Sequence, residues 1–579
     1  SANTTPATRI APVTPAEVVW PGTDAERETL ESMLLAPQGA YTVSDVYSTN
    51  FYGSIGLAAG TQPLLTPTEV AAPGSPEYDA AVADNAARKV TLDDGASINF
   101  NSNANKSVPL TYLSTTDPVR VGAAVTFTAP VVLDFRNDLW NFQPTRHLTA
   151  ENAADVQPVT FENTRTAAPA EVGGDIRIAG FNVLNYFTTT GADAIAAGAS
   201  CTFYNDRAGN PVTVNTCSNG PAPRGAADDA NLERQQAKIV AAINGLDADV
   251  VSLEEIENSL ISGTDRDVAV STLVDALNAA LGDDVWAFAP SPASVPTGED
   301  VIRTAFIYKK DAVELVGDSV IDGDAAFSNA RYPLAQAFAP VGGGEDDVFV
   351  AIVNHFKSKG SGSGADADQG DGQGASNASR VAQAEALVGF AEELKVDVDT
   401  DYVFLIGDFN SYTQEDPMQV FYEAGYVNQG AEKTDKYTYS FSGQSGSLDH
   451  TLASPAADAL VTGVDIWNIN AAESIALEYS RFNYNVTNLY DASPYRSSDH
   501  DPVVVGLAFP EDEEPGTVDL NLLNINDFHG RIDANTVKFA ATVEQLRAEH
   551  GDENTLFLSA GDNIGASLFA SSVAQDQPT

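Results

Sequence analysis

Sulfur and positive charge are both scarce in this chain. Of its 579 residues only two are cysteine, Cys201 and Cys217, and two are methionine. Two thiols cannot build a zinc site unaided, and no histidine is spaced nearby to help. They lie in a polar loop rich in Asn, Gly and Pro. A disulfide closing that loop is expected over free thiols, and it implies an oxidising, extracellular setting. Lys and Arg number 30 against 81 Asp and Glu, a formal net charge of -51. So acidic a chain repels polyanions at long range, which disfavours a module that reads DNA through a basic face. Phosphate substrates stay open where divalent cations and a few local Arg or Lys bridge the gap. The acidity also suits high salt, where screening removes self-repulsion.

No uninterrupted apolar run approaches the ~18 residues of a membrane span, so no membrane partner is expected. The N-terminal Ser1-Ala2-Asn3-Thr4-Thr5-Pro6 lacks a basic-plus-apolar leader, as a mature, secreted form would. With 43% apolar residues the chain is globular, and its length calls for several domains. Residues 1–25, rich in Pro, Thr and Ala, read as a tail or linker. Residues 26–150 alternate short Val/Thr/Tyr segments with Gly, Pro and Asn turns, a small all-β accessory domain of barrel or sandwich type. There Arg136, Trp140 and Arg146 suggest either a ligand surface or, more plainly, aromatic packing at a barrel mouth.

Residues 145–173 are polar and form a boundary, and the texture then changes. Between 172 and 509, apolar runs that read as buried strands alternate with amphipathic helices, an α/β domain with sheets as its core. Helices are expected over 231–246, 268–281 and 377–394. The strand runs share a device: each ends in polar residues. Six such ends carry Asn182, Glu255, His355, Asp408 with Asn410, Asp449, and Asp499 with His500. One polar residue at a strand end is usually a turn or cap. Six point to one rim holding one site. Carboxylates and Asn carbonyls are hard oxygen ligands suited to Mg²⁺, Mn²⁺ or Ca²⁺. Two histidines can divide the activation of water and the protonation of a leaving oxygen. The inventory fits a phosphodiester or phosphomonoester hydrolase.

Asn182 after a strand, Glu255 closing one, Gly407-Asp408-Phe409-Asn410 and Ser498-Asp499-His500-Asp501-Pro502-Val503 resemble the endonuclease/exonuclease/phosphatase superfamily of pancreatic-type deoxyribonuclease. Arg224-Gly225-Ala226, Arg234-Gln235, Asn354-His355-Phe356-Lys357-Ser358-Lys359-Gly360 and Asp371-Gly372-Gln373-Gly374 are similar to the large secreted bacterial nucleases within it. That resemblance implies a four-layer αββα sandwich over 172–509 and an OB-like domain over 26–150. It further implies that Asn182, Glu255 and Asp499 hold a catalytic Mg²⁺ or Mn²⁺. His500 would be general base, oriented by Asp449, and His355 general acid. Asp408 and Asn410 would position water and the scissile phosphate, and Arg331 and Lys357 would contact phosphate. The expected reaction is hydrolysis of DNA, with RNA as a further substrate, leaving 5′-phosphate ends. The family often pairs its acid histidine with a Glu before a strand like 304–308, where this chain has Ile302, with Glu299 and Asp300 nearby. Glu254 reads as either a support for the metal ligands or a solvated carboxylate. The Asp/Gly loop 362–374 offers a structural Ca²⁺ site, a solvated loop being the plainer reading.

An acidic linker, 510–516, precedes a last segment, 517–579. There Asn526-Asp527-Phe528-His529-Gly530 and Gly561-Asp562-Asn563 resemble the opening of a 5′-nucleotidase-type metallophosphoesterase. Asp527, His529 and Asp562 would begin a two-metal site, and no phosphatase activity is expected from this partial α/β segment. Two other readings of the chain compete. A phosphodiesterase or phosphatase of the same fold, acting on phospholipid head groups or inositol phosphates, would favour an exposed aromatic-aliphatic hairpin, and none is read here. A catalytically silent binding protein would not need Glu255, His355, Asp408, Asp449 and His500 together. No protein partner is inferable.

Overall fold

A strand buried on both faces must be apolar at nearly every position, and the runs singled out above meet that condition. In the computed structural model, which describes residues 13–510 and 519–563, Phe349–His355 and Val403–Asp408 are buried throughout. They belong to a six-stranded sheet ordered Val313–Ile321, Arg331–Pro340, Phe349–His355, Val403–Asp408, Asp449–Ala453, Val427–Asn428. A second six-stranded sheet runs Trp286–Phe288, Ile302–Lys309, Val250–Glu257, Ile176–Tyr186, Val503–Leu507, Val461–Ile466. The two meet face to face: Ile178, Val250, Phe306 and Val505 of one pack with Phe338, Phe349 and Phe404 of the other. Each such side chain contributes about 1.5–3 kcal/mol of burial. Outside, the helices Asp229–Leu246 and Val268–Leu281 cover the second sheet through Ile239, Ile243, Leu273 and Leu277. The helices Asn377–Val398 and Asp416–Glu423 cover the first through Leu387, Ala391, Met418 and Phe421. The result is a mixed α/β sandwich.

One glycine controls the spacing at its centre. Gly407 has φ +134°, and a Cβ there would stand 2.1 Å from the Asn354 carbonyl oxygen. Without a side chain, the parallel strands 349–355 and 403–408 lie close enough for His355 and Asp408 to be direct register partners.

The accessory region differs from the all-β, OB-like domain expected. Its sheet has nine strands, ordered Ala16–Val19, Leu34–Gln38, Val131–Arg136, Leu139–Pro144, Lys89–Leu92, Ile55–Ala59, Tyr41–Asp45, Ala124–Phe127, Val159–Phe161. A helix, Pro76–Arg88, accompanies it, started by Ser75, whose hydroxyl caps Tyr78 N, and by proline in its first turn. The expected tail 1–25 holds a strand, Ala16–Val19, parallel to Leu34–Gln38, and its first twelve residues lie outside the described ones. The expected boundary 145–173 contributes the last strand, Val159–Phe161. Trp140 packs in this core, tilted against Phe135 with centroids 4.8 Å apart, and donates to Asp24. Arg136 pairs with Asp93 at 3.1 Å and Asp134 at 3.3 Å. Packing therefore accounts for this aromatic–arginine cluster.

The chain divides into two compact units, Ser1–Phe509 and Pro510–Thr579. Within the first, accessory sheet and sandwich are tied by ion pairs: Glu473, fully buried, receives Arg120 at 2.8 Å and Arg165 at 2.7 Å. Of the expected linker 510–516, residues 511–516 lie outside the described residues. In the second unit, Asn521–Ile525 and Thr555–Ser559 pair in parallel, with the helix Thr536–His550 between them in sequence.

Candidate active site

The site grows from strand register. His355 is the partner of Asp408 across one parallel pair, and Asp408 is the partner of Asp449 across the next, antiparallel pair. Three functional side chains thus stand in one row at one edge of a sheet. In the other sheet Asn182 is the partner of Glu254. The strand Val503–Leu507 lies beside Ile176–Tyr186, and Asp499 and His500 sit on the turn before it. The Ser498 hydroxyl fixes that turn by donating to the Asn182 carbonyl at 2.6 Å. The two rims are joined when His500 Nδ1 meets the Asp449 carboxylate at 2.8 and 3.0 Å. On the other side, His355 Nε2 stands 3.3 Å from Asp408 Oδ2.

A bulge turns Glu255 toward this edge. The strand register shifts between Asn182 and Tyr186 and again between Leu253 and Ile256. Glu255 takes φ +61°, and Leu184 and Asn185 opposite take +49° and +52°. Such a backbone costs about 1–3 kcal/mol per residue and persists where surroundings enforce it, commonly at functional sites. Here the Asn185 amide donates to Glu255 Oε2 at 2.9 Å.

Burial and crowding set the charges. Burial pushes Asp408 up to about 7, with Asp449 adding to the shift and His500 opposing it. Burial, then the negative charges of Asp449 and Asp408, hold Glu254 well above the carboxylate range. Glu255 is raised by burial and by Asp499. For His500 burial pulls downward, but the carboxylates of Asp449, Asp499 and Asp408 outweigh it and hold the ring well above 6.5. His355 is driven well below 6.5 by burial and by Arg331, His500 and Arg224. The two rings are thus displaced in opposite directions, His500 upward and His355 downward. Neutralising Asp499 removes one of the charges that hold His500 up.

Asp408, Asp449 and His500 bring one ligand atom each within 4.8 Å of one another, all buried. This cluster is of a kind that binds a divalent cation. Around it, half-buried Glu255 and Asp499 and the buried Asn182 add oxygen donors. Oxygen donors of this kind, carboxylates with an Asn side chain, fit a hard divalent ion.

The remaining expected residues are placed unevenly. Arg331 is buried, donates to the Phe356 carbonyl at 2.7 Å, and has Asp408 and Glu255 as its charged neighbours. Asn410, φ +47°, sends its side-chain amide to the same carbonyl at 3.2 Å and its backbone N–H to Asp408. Lys357 is half-buried two residues past His355, its amide held by Gln383 at 3.0 Å. Lys359 pairs with Glu415 and is not available to phosphate. Neither acid near Ile302 partners His355: Glu299 pairs with Arg266, and Asp300 with Arg224 at 3.0 Å. Glu254 is 1% exposed, which excludes the solvated reading. His450 is a satisfied core residue between Asn428 and the Ser411 carbonyl, at 2.9 Å from each. Cys201 and Cys217 form a disulfide across a hairpin, as directly opposed partners. In the second unit Asp527, His529 and Asp562 also gather within 4.8 Å, in exposed or half-exposed positions.

Two residues of the site carry no motif. Tyr439 lays its ring 4.6 Å from that of His500. Glu69, from the accessory region, accepts from Thr413 N at 3.3 Å, Thr413 Oγ1 at 2.7 Å and Ser447 N at 3.0 Å. It thereby holds the loops that follow Asn410 and precede Asp449.

No curated protein matches this chain. Among solved structures, the human Nocturnin catalytic domain with bound sulfate is 14% identical, over 59% of this chain and 98% of that one, at TM-score 0.34. The mannosyl-6-phosphatase of Bacteroides thetaiotaomicron is 14% identical, over 58% and 100%, at TM-score 0.35. D. rerio TDP2 in complex with a single-strand DNA product is 14% identical, over 57% and 97%, at TM-score 0.32. The model of the Endonuclease/Exonuclease/phosphatase family matches residues 212–500, a span that contains both histidine–carboxylate pairs. With its clustered acidic and histidine side chains forming a catalytic site typical of that family's phosphodiesterases, the chain belongs to the endonuclease/exonuclease/phosphatase family.

Proposed function

We propose that this protein is a secreted, divalent-cation-dependent nuclease that hydrolyses DNA, and RNA as a further substrate, to 5′-phosphate ends. The observation that carries this reading is a pair of histidine–carboxylate contacts whose carboxylates, Asp408 and Asp449, are register partners in one buried cluster. The contacts are His500–Asp449 and His355–Asp408. Glu255, Asn182 and Asp499 would hold Mg²⁺ or Mn²⁺, which when bound supplies charge neutralisation at a phosphate oxygen. His500, kept in one tautomer by Asp449, takes a proton from the attacking water. His355 returns one to the leaving oxygen. Asp408 and Asn410 align water and phosphate, and Arg331 meets the phosphate's negative charge with a guanidinium whose Nε lacks a partner. Export is supported by the Cys201–Cys217 bridge. The Asp527–His529–Asp562 cluster, at the ends of two parallel strands, supports a metallophosphoesterase-like origin for the second unit.

The test is nicking of closed-circular plasmid by wild type and His500→Ala, with Mg²⁺ or Mn²⁺ and with EDTA. Cation-dependent nicking that falls by about 10²–10⁴-fold in the variant is expected. A pure wild type that leaves plasmid intact with both cations, yet hydrolyses inositol or phospholipid diesters, would move the substrate to that class.

A further inference from the structure

A protein of net charge -51 that works on a polyanion needs contacts that do not depend on long-range attraction. The surface beside the active site offers them. The hairpin Tyr439–Phe441 and Gln444–Gly446 starts at the catalytic centre, where the Tyr439 ring lies 4.6 Å from His500. Two residues on, Phe441 stands 64% exposed. Across from it the accessory region presents Tyr47, 58% exposed, with its ring stacked on Phe51 at 5.6 Å and 29°. Tyr52, 51% exposed, continues the row. Phe441 and Tyr47 line one cavity of about 340 Å³. Its wall includes Arg496, a buried guanidinium whose Nη1 donates to the Asn470 carbonyl at 2.9 Å and whose Nε has no partner.

The arrangement is held in place. Ser44 Oγ donates to the Gly443 carbonyl at 2.7 Å, and Ser445 N to Leu64 O at 2.8 Å, so the hairpin is clamped to the accessory sheet. Asp45, also on the cavity wall, accepts from Tyr47 N at 2.8 Å and fixes the backbone that carries that ring.

We infer that Tyr47 and Phe441, with Arg496 behind them, form a stacking site for unpaired nucleobases of the strand being cut, supplied jointly by the accessory region and the catalytic hairpin. The inference rests on the nuclease reading above and adds to it a preference for single-stranded or locally opened substrate. Aromatic faces hold any base, since every base has a π-face, and they do so without a basic groove. Arg496 on the same wall pairs with Glu478 at 3.7 Å and keeps its Nε as an unpartnered donor toward the site. A lipid surface is the less favoured occupant. The cavity's aliphatic residues are withdrawn, Val46 buried and Ile475 half-buried, its exposed rim is Tyr47, Phe441 and Ser442, and the protein's net charge opposes anionic membranes.

The test is fluorescence anisotropy of a labelled single-stranded oligo-dT in EDTA, so that binding is read without turnover. Wild type is compared with the Tyr47→Ala/Phe441→Ala double variant and with Tyr47→Phe/Phe441→Tyr, which keeps both rings. We expect the alanine pair to weaken binding by about tenfold or more and the ring-preserving pair to bind as wild type. An abasic strand of equal length should bind weakly to all three. Four results would overturn the inference: no binding by wild type, equal binding by a folded alanine pair, abasic strand binding as tightly as oligo-dT, or loss in the alanine pair of binding to phosphatidylserine vesicles in place of oligo-dT. Strand binding without plasmid nicking would sink the nuclease reading alone. Nicking with unaltered binding by the alanine pair would sink the stacking site alone.

Discussion

Two clusters in this molecule have the same composition, two aspartates and one histidine with ligand atoms within 4.8 Å, and they sit in opposite surroundings. Asp408, Asp449 and His500 are buried, while Asp527 and Asp562 are exposed and His529 is half-buried. The first stands at the edges of six-stranded sheets packed on both faces. The second hangs on a two-stranded pair in which Leu522, Leu556 and Leu558 are themselves exposed, beside a helix with no buried residue. Residue type and spacing are therefore not what distinguishes a catalytic cluster. In the buried one, burial pulls His500 downward, but the neighbouring carboxylates act at low dielectric and hold its ring well above 6.5. In the exposed one, water and salt screen the same charges.

Removing the orienting carboxylate from each cluster separates them most. Asp449→Asn leaves His500 without its anionic partner and should lower kcat for phosphodiester hydrolysis by about 10²–10⁴-fold, whereas Asp527→Asn, beside His529, should leave that rate where it was. Equal losses in steady-state assays would erase the distinction drawn here. Next in size is the brace. Glu69→Ala strands the Thr413 and Ser447 donors, and it should lower stability by about 2–3 kcal/mol in urea titration, with Glu69→Gln losing less. An unchanged midpoint would show that those loops hold themselves.

A third comparison isolates burial from catalysis. Asp94, in the accessory region, is fully buried, and burial, joined by Asp93, raises it from 3.8 to about 7. The folded state then holds this proton more tightly than the unfolded chain. Its contribution is fully present below pH 3.8 and is lost as pH rises through 7. Thermal melts should accordingly show Asp94→Asn gaining steadily on wild type as pH rises from 4 to 7. Parallel melting curves at every pH would contradict the shift.

The sandwich was legible because strands covered on both faces must be apolar throughout, and their polar ends then stand out. Val403-Phe404-Leu405-Ile406 before Asp408 is such a run. What joins those ends was not legible. Asp449 and His500 lie in different sheets, 51 residues apart, and nothing local encodes their contact. Glu69 is 344 residues from Thr413 and sits in a four-residue helix, Pro67–Val70, that carries no motif. Elsewhere signals were present and outweighed: Ser75-Pro76-Glu77 starts the helix Pro76–Arg88 with a capping serine and an early proline, yet the surrounding strand-like texture hid it. The strand Ala16–Val19 is four residues long with alternating burial, too short to rise above a Pro/Thr/Ala background.

The last strand, Val503–Leu507, inserts between Ile176–Tyr186, made early, and Val461–Ile466. The turn bearing Asp499 and His500 arrives with it. On the ribosome, a growing chain therefore has most of its sandwich before it has this turn, and one edge of Ile176–Tyr186 waits unpaired until residues 503–507 emerge. The buried Asp408–Asp449–His500 cluster is thus completed by the same segment whose arrival closes the sheet.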